Sequence, residues 1–259
     1  MENQREEDRV VSSVDILSEI QKEEPQKSFS TNYYNLDRYT NGIKEGDLII
    51  LSGLTGMGKT AFAVSLARNF IEQNINCLFF SYEISSQELL ERFGTPVPVF
   101  YLPRLLSSGS PQWIERKIIE AKENYGAKII FIDHLHYLVD SYTTRSKNTS
   151  EMLAFMCREF KHIARKHRVV IVLLAHVRKF DSARPQLQDI KDSSGIIQEA
   201  DLVLMIHRTG AKRARKVNDE EFELSTAATL YLDKVRRRGG RLGKINLTFD
   251  NDRFYEVTQ

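Results

Sequence analysis

Residues 53–60 read Gly53-Leu54-Thr55-Gly56-Met57-Gly58-Lys59-Thr60, a short glycine-spaced loop closing on a lysine and a threonine. The apolar run Leu48-Ile49-Ile50-Leu51 precedes it, and Ala61-Phe62-Ala63-Val64 follows as the start of a helical pattern. A strand, a glycine loop and a helix in that order commit the chain to a layered α/β fold. The loop amides and the positive end of the helix then converge on one anion site. In such a loop Lys59 reaches the β- and γ-phosphates and the Thr60 hydroxyl coordinates magnesium. The segment therefore implies ATP with Mg2+, held by Gly53, Thr55, Gly56, Met57, Gly58, Lys59 and Thr60.

The rest of the chain repeats the alternation. Strands are predicted at 47–52, 77–82, 128–133, 169–175 and 202–206, as apolar runs with little polar alternation, the signature of parallel strands covered on both faces. Helical patterns lie between them at 59–74, 85–93, 111–124 and 149–167, and Ser110-Pro111 supplies an N-cap and a first-turn proline. Two further strands, 226–234 and 244–249, read as a C-terminal strand pair. The expected fold is a P-loop core with a mostly parallel central sheet and helices on both faces, spanning 28–259. Residues 1–27 are read as an acidic tail with a short amphipathic helix over 10–20 and a linker around Pro25. That helix packs either on its own domain or on a neighbouring subunit.

In open α/β sheets, ligands bind at the carboxyl ends of the strands. Those ends carry Glu83, Asp133 and His176. A carboxylate at Glu83 suits the general base that polarises an attacking water. Asp133, an acid after four apolar residues, suits magnesium positioning together with Thr60. His176 suits contact with both that water and the γ-phosphate. Each has a plainer reading as a cap, a helix-start charge or a packed histidine. Their joint order favours catalysis by Lys59, Glu83 and His176. His134 and His136 are read as packing or capping residues, because their spacing brings no further ligand with it.

Several segments resemble the helicase domain of DnaB-type hexameric helicases. They are Gly42-Ile43-Lys44-Glu45-Gly46-Asp47 leading into the loop, Phe79-Phe80-Ser81-Tyr82-Glu83-Ile84-Ser85, the stretch 189–201, and Lys234-Val235-Arg236 with Gly239-Gly240. The likeness runs from about Asn32 to the C-terminus and implies a RecA-like core. It implies that Glu83 is the catalytic carboxylate and that Arg236 is an arginine finger acting on the neighbouring subunit's ATP, with Lys234 touching the same γ-phosphate. Arg208 resembles an arginine also placed near the neighbouring nucleotide. Lys191, Ser193, Ser194 and Gly195 resemble the loop that grips single-stranded DNA. His176 stands where bacterial members usually carry glutamine and is more like the Twinkle-type and phage primase-helicase branch. With about 27 residues before the core, neither a collar nor a primase domain is expected. The implied protein is an ATP-dependent DNA helicase, forming a homo-oligomeric hexameric ring or open helix with replication partners. The alternatives are a RecA/RadA- or KaiC-like ATPase without unwinding, and a nucleotide-gated clamp that does not turn ATP over.

The formal charge of +2 over 259 residues does not by itself demand nucleic acid. Its distribution is more informative, with acidic residues in the first 24 positions and basic clusters at 208–216 and 234–244. Candidate phosphate-tracking cations fall in the loops 141–150 (Arg145, Lys147) and 178–194 (Arg178, Lys179, Arg184, Lys191). Tyr142 and Phe180 are the few aromatics there, so backbone grip is expected over base reading. The cluster 212–216 reads as an exposed hairpin insertion, and Arg237 and Arg238 as interface or solvent residues. Two cysteines, Cys77 and Cys157, lack metal-ligand spacing and fit a reducing compartment. With no apolar run of membrane-spanning length, a cytoplasmic, nucleoid-associated protein with no membrane partner is expected.

Overall fold

The computed structural model describes residues 10–22, 24–135, 137–138, 149–177, 184–190, 193–208 and 226–257, with the backbone alone at 149, 193 and 194. Its strands in chain order are β1 (Ser28–Phe29), β2 (Ile43–Lys44), β3 (Leu48–Gly53), β4 (Cys77–Ser81), β5 (Ile129–Asp133), β6 (Val170–His176), β7 (Leu202–Arg208), β8 (Ala227–Val235), β9 (Gly243–Asp250) and β10 (Arg253–Glu256). The helices are α1 (Ser13–Lys22), α2 (Tyr34–Thr40), α3 (Lys59–Glu72), α4 (Ser86–Arg92), α5 (Pro111–Tyr125), α6 (Thr149–His167) and α7 (Ser193–Glu199).

β3 to β10 form one sheet in the order β4-β5-β6-β3-β7-β8-β9-β10. The first five run parallel and the last three antiparallel. The apolar runs are explained by burial on both faces. Along β3, Leu48 and Ile50 enter the core beneath α5 and α6, whereas Ile49 and Leu51 enter the core beneath α3. On the first face Trp113, Ile114 and Ile118 of α5 meet Leu153, Met156 and Phe160 of α6. On the second, Phe62, Leu66 and Phe70 of α3 pack with Leu89 of α4. Cys77 and Cys157 are buried free thiols.

Where the sequence pattern predicts two C-terminal strands, the sheet holds a third, β10, joined to β9 by Asn251-Asp252. Both turn residues are left-handed, at φ 46° and 58°, the backbone of a tight hairpin. The ribbon β1–β2 and helix α2 also lie outside that pattern.

α1 starts one turn later than expected, with Ser12 and Asp15 closing a reciprocal cap: Asp15 N–H donates to Ser12 Oγ (3.1 Å) and Ser12 N–H to Asp15 Oδ2 (3.3 Å). It buries no residue, and Val14 (71% exposed), Leu17 (55%) and Ile20 (59%) form an uncovered apolar stripe. The linker behind it lies along the domain, where Arg168 donates to the carbonyl of Glu24 (2.9 Å).

Three ion pairs, each on a buried carboxylate, fasten the end of the sheet opposite the glycine loop. Lys161 of α6 bonds Asp201, which also accepts from Leu48 N–H at 2.7 Å. Lys128 meets Glu45 at 3.1 Å. Arg237 bonds Asp47 and the carbonyl of Thr40 (2.8 Å). Arg237 is thus a buried structural cation and not the interface or solvent residue expected from the run 236–238. Burial pushes the Asp47 carboxyl up to about 6 despite that partner.

Candidate functional site: a phosphate loop at a row of strand ends

The strand order sets the site. β4, β5, β6, β3 and β7 stand side by side, so their carboxyl ends present Glu83, Asp133, His176, the 53–60 loop and Arg208 in one row. The loop's backbone needs its glycines. Gly56 and Gly58 are left-handed at φ 79° and 92°, and a Cβ on Gly53 would lie 2.6 Å from the Ile206 carbonyl of β7.

Lys59 begins α3 and folds back over the loop, its Nζ donating to the carbonyls of Gly53 (3.1 Å) and Leu54 (3.3 Å). Burial lowers its pKa, while the charges of Glu83 and Asp133 act in the other direction. A lysine so placed at the start of a helix behind a glycine loop is in position to turn to phosphate oxygens. The Thr60 hydroxyl donates to Asp133 Oδ2 at 3.2 Å. Asp133 is 4% exposed, and its Oδ1 is buried with no hydrogen-bond partner among the described residues. Burial, then the nearby Glu83 charge, pushes this carboxyl up to about 6. A buried, under-satisfied carboxylate oxygen beside a threonine hydroxyl fits a hard, oxygen-seeking cation such as Mg2+.

His176 sits between the loop and the acids. Its Nδ1 lies 3.3 Å from Lys59 Nζ and 3.5 Å from Thr55 Oγ1, and its Nε2 lies 3.3 Å from His134 Nδ1. His134 Nδ1 is in turn 3.4 Å from Glu83 Oε2. His134 thus has potential ligand atoms beside it from the ends of β4 and β6, which its spacing to His136 does not show. His136 lies outside the described residues.

A cleft of about 400 Å³ opens over the loop, lined by Thr55, Gly58, Lys59, Thr60, Glu83 and Arg208 among others. Arg208 therefore borders the phosphate loop of its own chain. It is 7% exposed, its guanidinium stacks over Phe249 at 4.5 Å, and its Nε is buried with no hydrogen-bond partner among the described residues. Arg92, Phe249 and Asp252 also line the cleft and escaped the sequence reading, since they come from three separate segments with no shared motif.

Lys234 and Arg236 lie elsewhere. Lys234 pairs with Val203, and the Arg236 N–H donates to the Asp201 carbonyl at 2.7 Å. Gly53 stands level with Ile206, so Arg236 is five residues further down the sheet, roughly 17 Å at strand rise. Both side chains point onto the last turn of α7. Lys234 donates to the carbonyls of Ile197 and Gln198 (3.3 Å for the latter), and Arg236 donates to Gln198 (2.8 Å). A larger cavity of about 700 Å³ at this end of the sheet includes Arg236, Arg237 and Arg238.

Of the DNA-binding candidates, Arg178, Lys179 and Lys191 lie outside the described residues, as do Arg145, Lys147 and the 212–216 cluster. The side chains of Ser193 and Ser194 are likewise outside them. Gly195 has a packing reason: a Cβ there would come within 2.2 Å of Ala154 Cβ on α6. Arg184 pairs with Asp233 at 2.9 Å and stacks over Tyr231 at 4.5 Å.

The family described as the DnaB-like helicase C terminal domain matches residues 28–95 and 107–256. A probable replicative DNA helicase from Trieres chinensis is 31% identical, the match covering 93% of this chain and 61% of that protein. The replicative DNA helicase DnaB of Helicobacter pylori (strain ATCC 700392 / 26695) is 27% identical, over 85% of this chain and 54% of that protein. The chain thus spans little more than half the length of these curated relatives. A solved structure of a DnaB-like replicative helicase, described together with its interactions with primase, superposes with a TM-score of 0.77 at 19% identity over 99% of this chain and 70% of that one. At that identity the likeness speaks for the fold. Among the described residues no helix is long and apolar enough to cross a membrane.

Proposed function

The chain belongs to the DnaB-like helicase C-terminal domain family, and on that premise we propose that it is an ATP-hydrolysing motor that moves on single-stranded DNA and unwinds duplex by excluding one strand. The 53–60 loop holds the triphosphate through its amides and Lys59. Thr60 and Asp133 hold Mg2+, which would neutralise charge on the phosphates. Glu83 takes a proton from the attacking water, and His176, in reach of Lys59 and Thr55, positions that water against the γ-phosphate. Arg208 and Phe249 border the nucleotide in cis. Lys234 and Arg236 complete the site of a neighbouring copy, stabilising the charge that develops on the transferred phosphoryl group. Subunits then assemble as a ring or open helix, α1 laying its apolar stripe on the next copy. Arg178, Lys179, Lys191 and the start of α7 grip DNA phosphates.

The observation that carries this reading is the joint hold of Lys234 and Arg236 on the C-terminal carbonyls of α7. A cation that answers to a neighbour's phosphate is there fastened to the helix whose N-terminus ends the proposed DNA loop. That supports a DNA-moving motor over an ATPase of the same fold without unwinding. The experiment is a fork-unwinding assay alongside mass measurement with a non-hydrolysable ATP analogue and single-stranded DNA. Unwinding by an assembly of several copies supports the proposal. A monomer whose turnover ignores DNA overturns it.

A further inference from the structure

Glu83, His134 and His176 bring three potential ligand atoms together at the rim of the cleft. His176 Nε2 and His134 Nδ1 are 3.3 Å apart, His134 Nδ1 and Glu83 Oε2 3.4 Å, and His176 Nε2 and Glu83 Oε2 3.9 Å. Around a tetrahedral ion with ligands at about 2.0–2.1 Å, neighbouring ligand atoms stand about 3.3 Å apart. Two of the three edges have that length, and the third closes with a small turn of the half-exposed Glu83 side chain.

The donor set is selective. Two imidazole nitrogens and one carboxylate suit a borderline transition metal, whereas Mg2+ keeps oxygen ligands and water. Three protein ligands leave a fourth position for water, the composition of an open zinc site. His134 also holds a left-handed backbone at φ 80°, rare for a residue with a side chain and frequent at functional positions. With His176 Nε2 on the ion, its Nδ1 carries the ring proton and turns to Thr55 Oγ1, 3.5 Å away, as acceptor, which requires the Lys59 ammonium, 3.3 Å from the same nitrogen, to swing toward the phosphates.

We propose that Glu83, His134 and His176 form a zinc-class metal site at the rim of the nucleotide cleft, distinct from the Thr60–Asp133 magnesium position, and that occupancy silences ATP turnover. The ion occupies the Glu83 oxygen that would otherwise accept the proton of the attacking water. This consequence rests on the proposed role of Glu83 as the base. The phosphate loop contributes no ligand, so nucleotide binding persists.

The test uses the full chain stripped of metal. Co2+ added to the wild type should give the intense visible absorption of a four-coordinate site, and Zn2+ should displace it one-to-one. Buffered free Zn2+ should suppress Mg-ATP turnover while leaving binding of a fluorescent ATP analogue in place. The comparison variant is His134→Asn, because asparagine tolerates the left-handed backbone and the change removes one ligand while leaving Glu83 and His176 in place. It should lose the cobalt spectrum, bind Zn2+ at least about tenfold more weakly, and show a metal-free turnover of its own, whatever its level, that zinc does not suppress. Equal zinc binding by the two proteins overturns the proposal, as does zinc that stimulates turnover. Zinc bound by the wild type alone with turnover intact overturns the silencing if Glu83→Gln is inactive. If Glu83→Gln is also active, the failure belongs to Glu83 as base, and the metal site is supported by its binding data.

Discussion

The guanidinium of Arg236 donates to the Gln198 carbonyl at 2.8 Å, fastening the end of β8 to the last turn of α7. Lys234 holds the same turn, so two cations sit where a helix carries its negative end. Burial, and then the Arg236 charge, lowers the pKa of Lys234. Neither side chain reaches the phosphate loop of its own chain. If both work on a neighbour's nucleotide, that contact competes with their hold on α7. The arrangement then links the state of one site to the position of the next subunit's DNA loop.

On the proposed function, replacing Arg236 should be costly. Arg236→Ala is expected to lower DNA-stimulated ATP turnover by about 10³-fold, the low end for a lost arginine finger, with nucleotide affinity little changed. Steady-state turnover together with analogue binding checks this. Unchanged turnover would remove Arg236 from the mechanism.

Glu83→Gln keeps the size of the side chain and removes its basicity. Turnover should fall by about 10²–10⁴-fold, the usual worth of a general base. ATP affinity should stay within about threefold of wild type. Lost binding in an equilibrium titration would make Glu83 a structural residue instead.

Asp133 predicts a pH dependence with a definite sign. Its carboxyl is pushed up to about 6, first by burial and then by Glu83, against an ordinary value of about 4. The native state thus holds the proton more tightly than the unfolded chain. The contribution to stability is full below about pH 4 and is lost as the pH rises through about 6. Asp133→Asn removes that cost. Without Mg2+ it should be more stable than the wild type at pH 7.5, by at most roughly 3 kcal/mol, with the difference closing at pH 4. Thermal melts in the presence of a chelator test it, and equal melting at pH 7.5 contradicts it.

Gly195 separates packing from DNA contact. Its Cβ would collide with Ala154 Cβ, so Gly195→Ala should destabilise the fold by about 1–3 kcal/mol, and Ala154→Gly in the same chain should recover part of the loss. Denaturant midpoints decide it. An unchanged midpoint with weakened DNA binding would instead point to direct contact.

The cations near the proposed DNA loop should divide by their partners. Arg184 is tied to Asp233 and Tyr231, so Arg184→Gln should leave the salt dependence of DNA affinity unaltered. Lys191→Gln should reduce the log–log slope by about one phosphate contact. The same slope change at Arg184 would show that it leaves Asp233 for DNA.

How much was legible in the sequence followed from where the information sits. The glycine loop, Glu83, Asp133 and His176 were readable because each ends an apolar run, and strand ends in a parallel sheet share one edge. The surroundings of His134 were not readable because its partners are 42 and 51 positions away, on β6 and just past the end of β4. Arg92, Phe249 and Asp252 reach the cleft from remote segments without a common pattern. β10 had a usable signal in Asn251-Asp252, a turn pair followed by the short apolar stretch Phe254-Tyr255. The contacts of Arg237 could not be told from those of Arg236, since three arginines in a row differ only in what the fold sets beside them.

The central claim is that each site is finished by a second copy of the chain, and mixing two inactive variants tests it most directly. Arg236→Ala retains its own phosphate loop and Glu83, and Glu83→Gln still offers Arg236. An equimolar mixture, assayed for ATP turnover with single-stranded DNA, should rise well above the sum of the separate variants, because some interfaces then pair an intact loop with an intact finger. Turnover that stays at that sum would contradict the account.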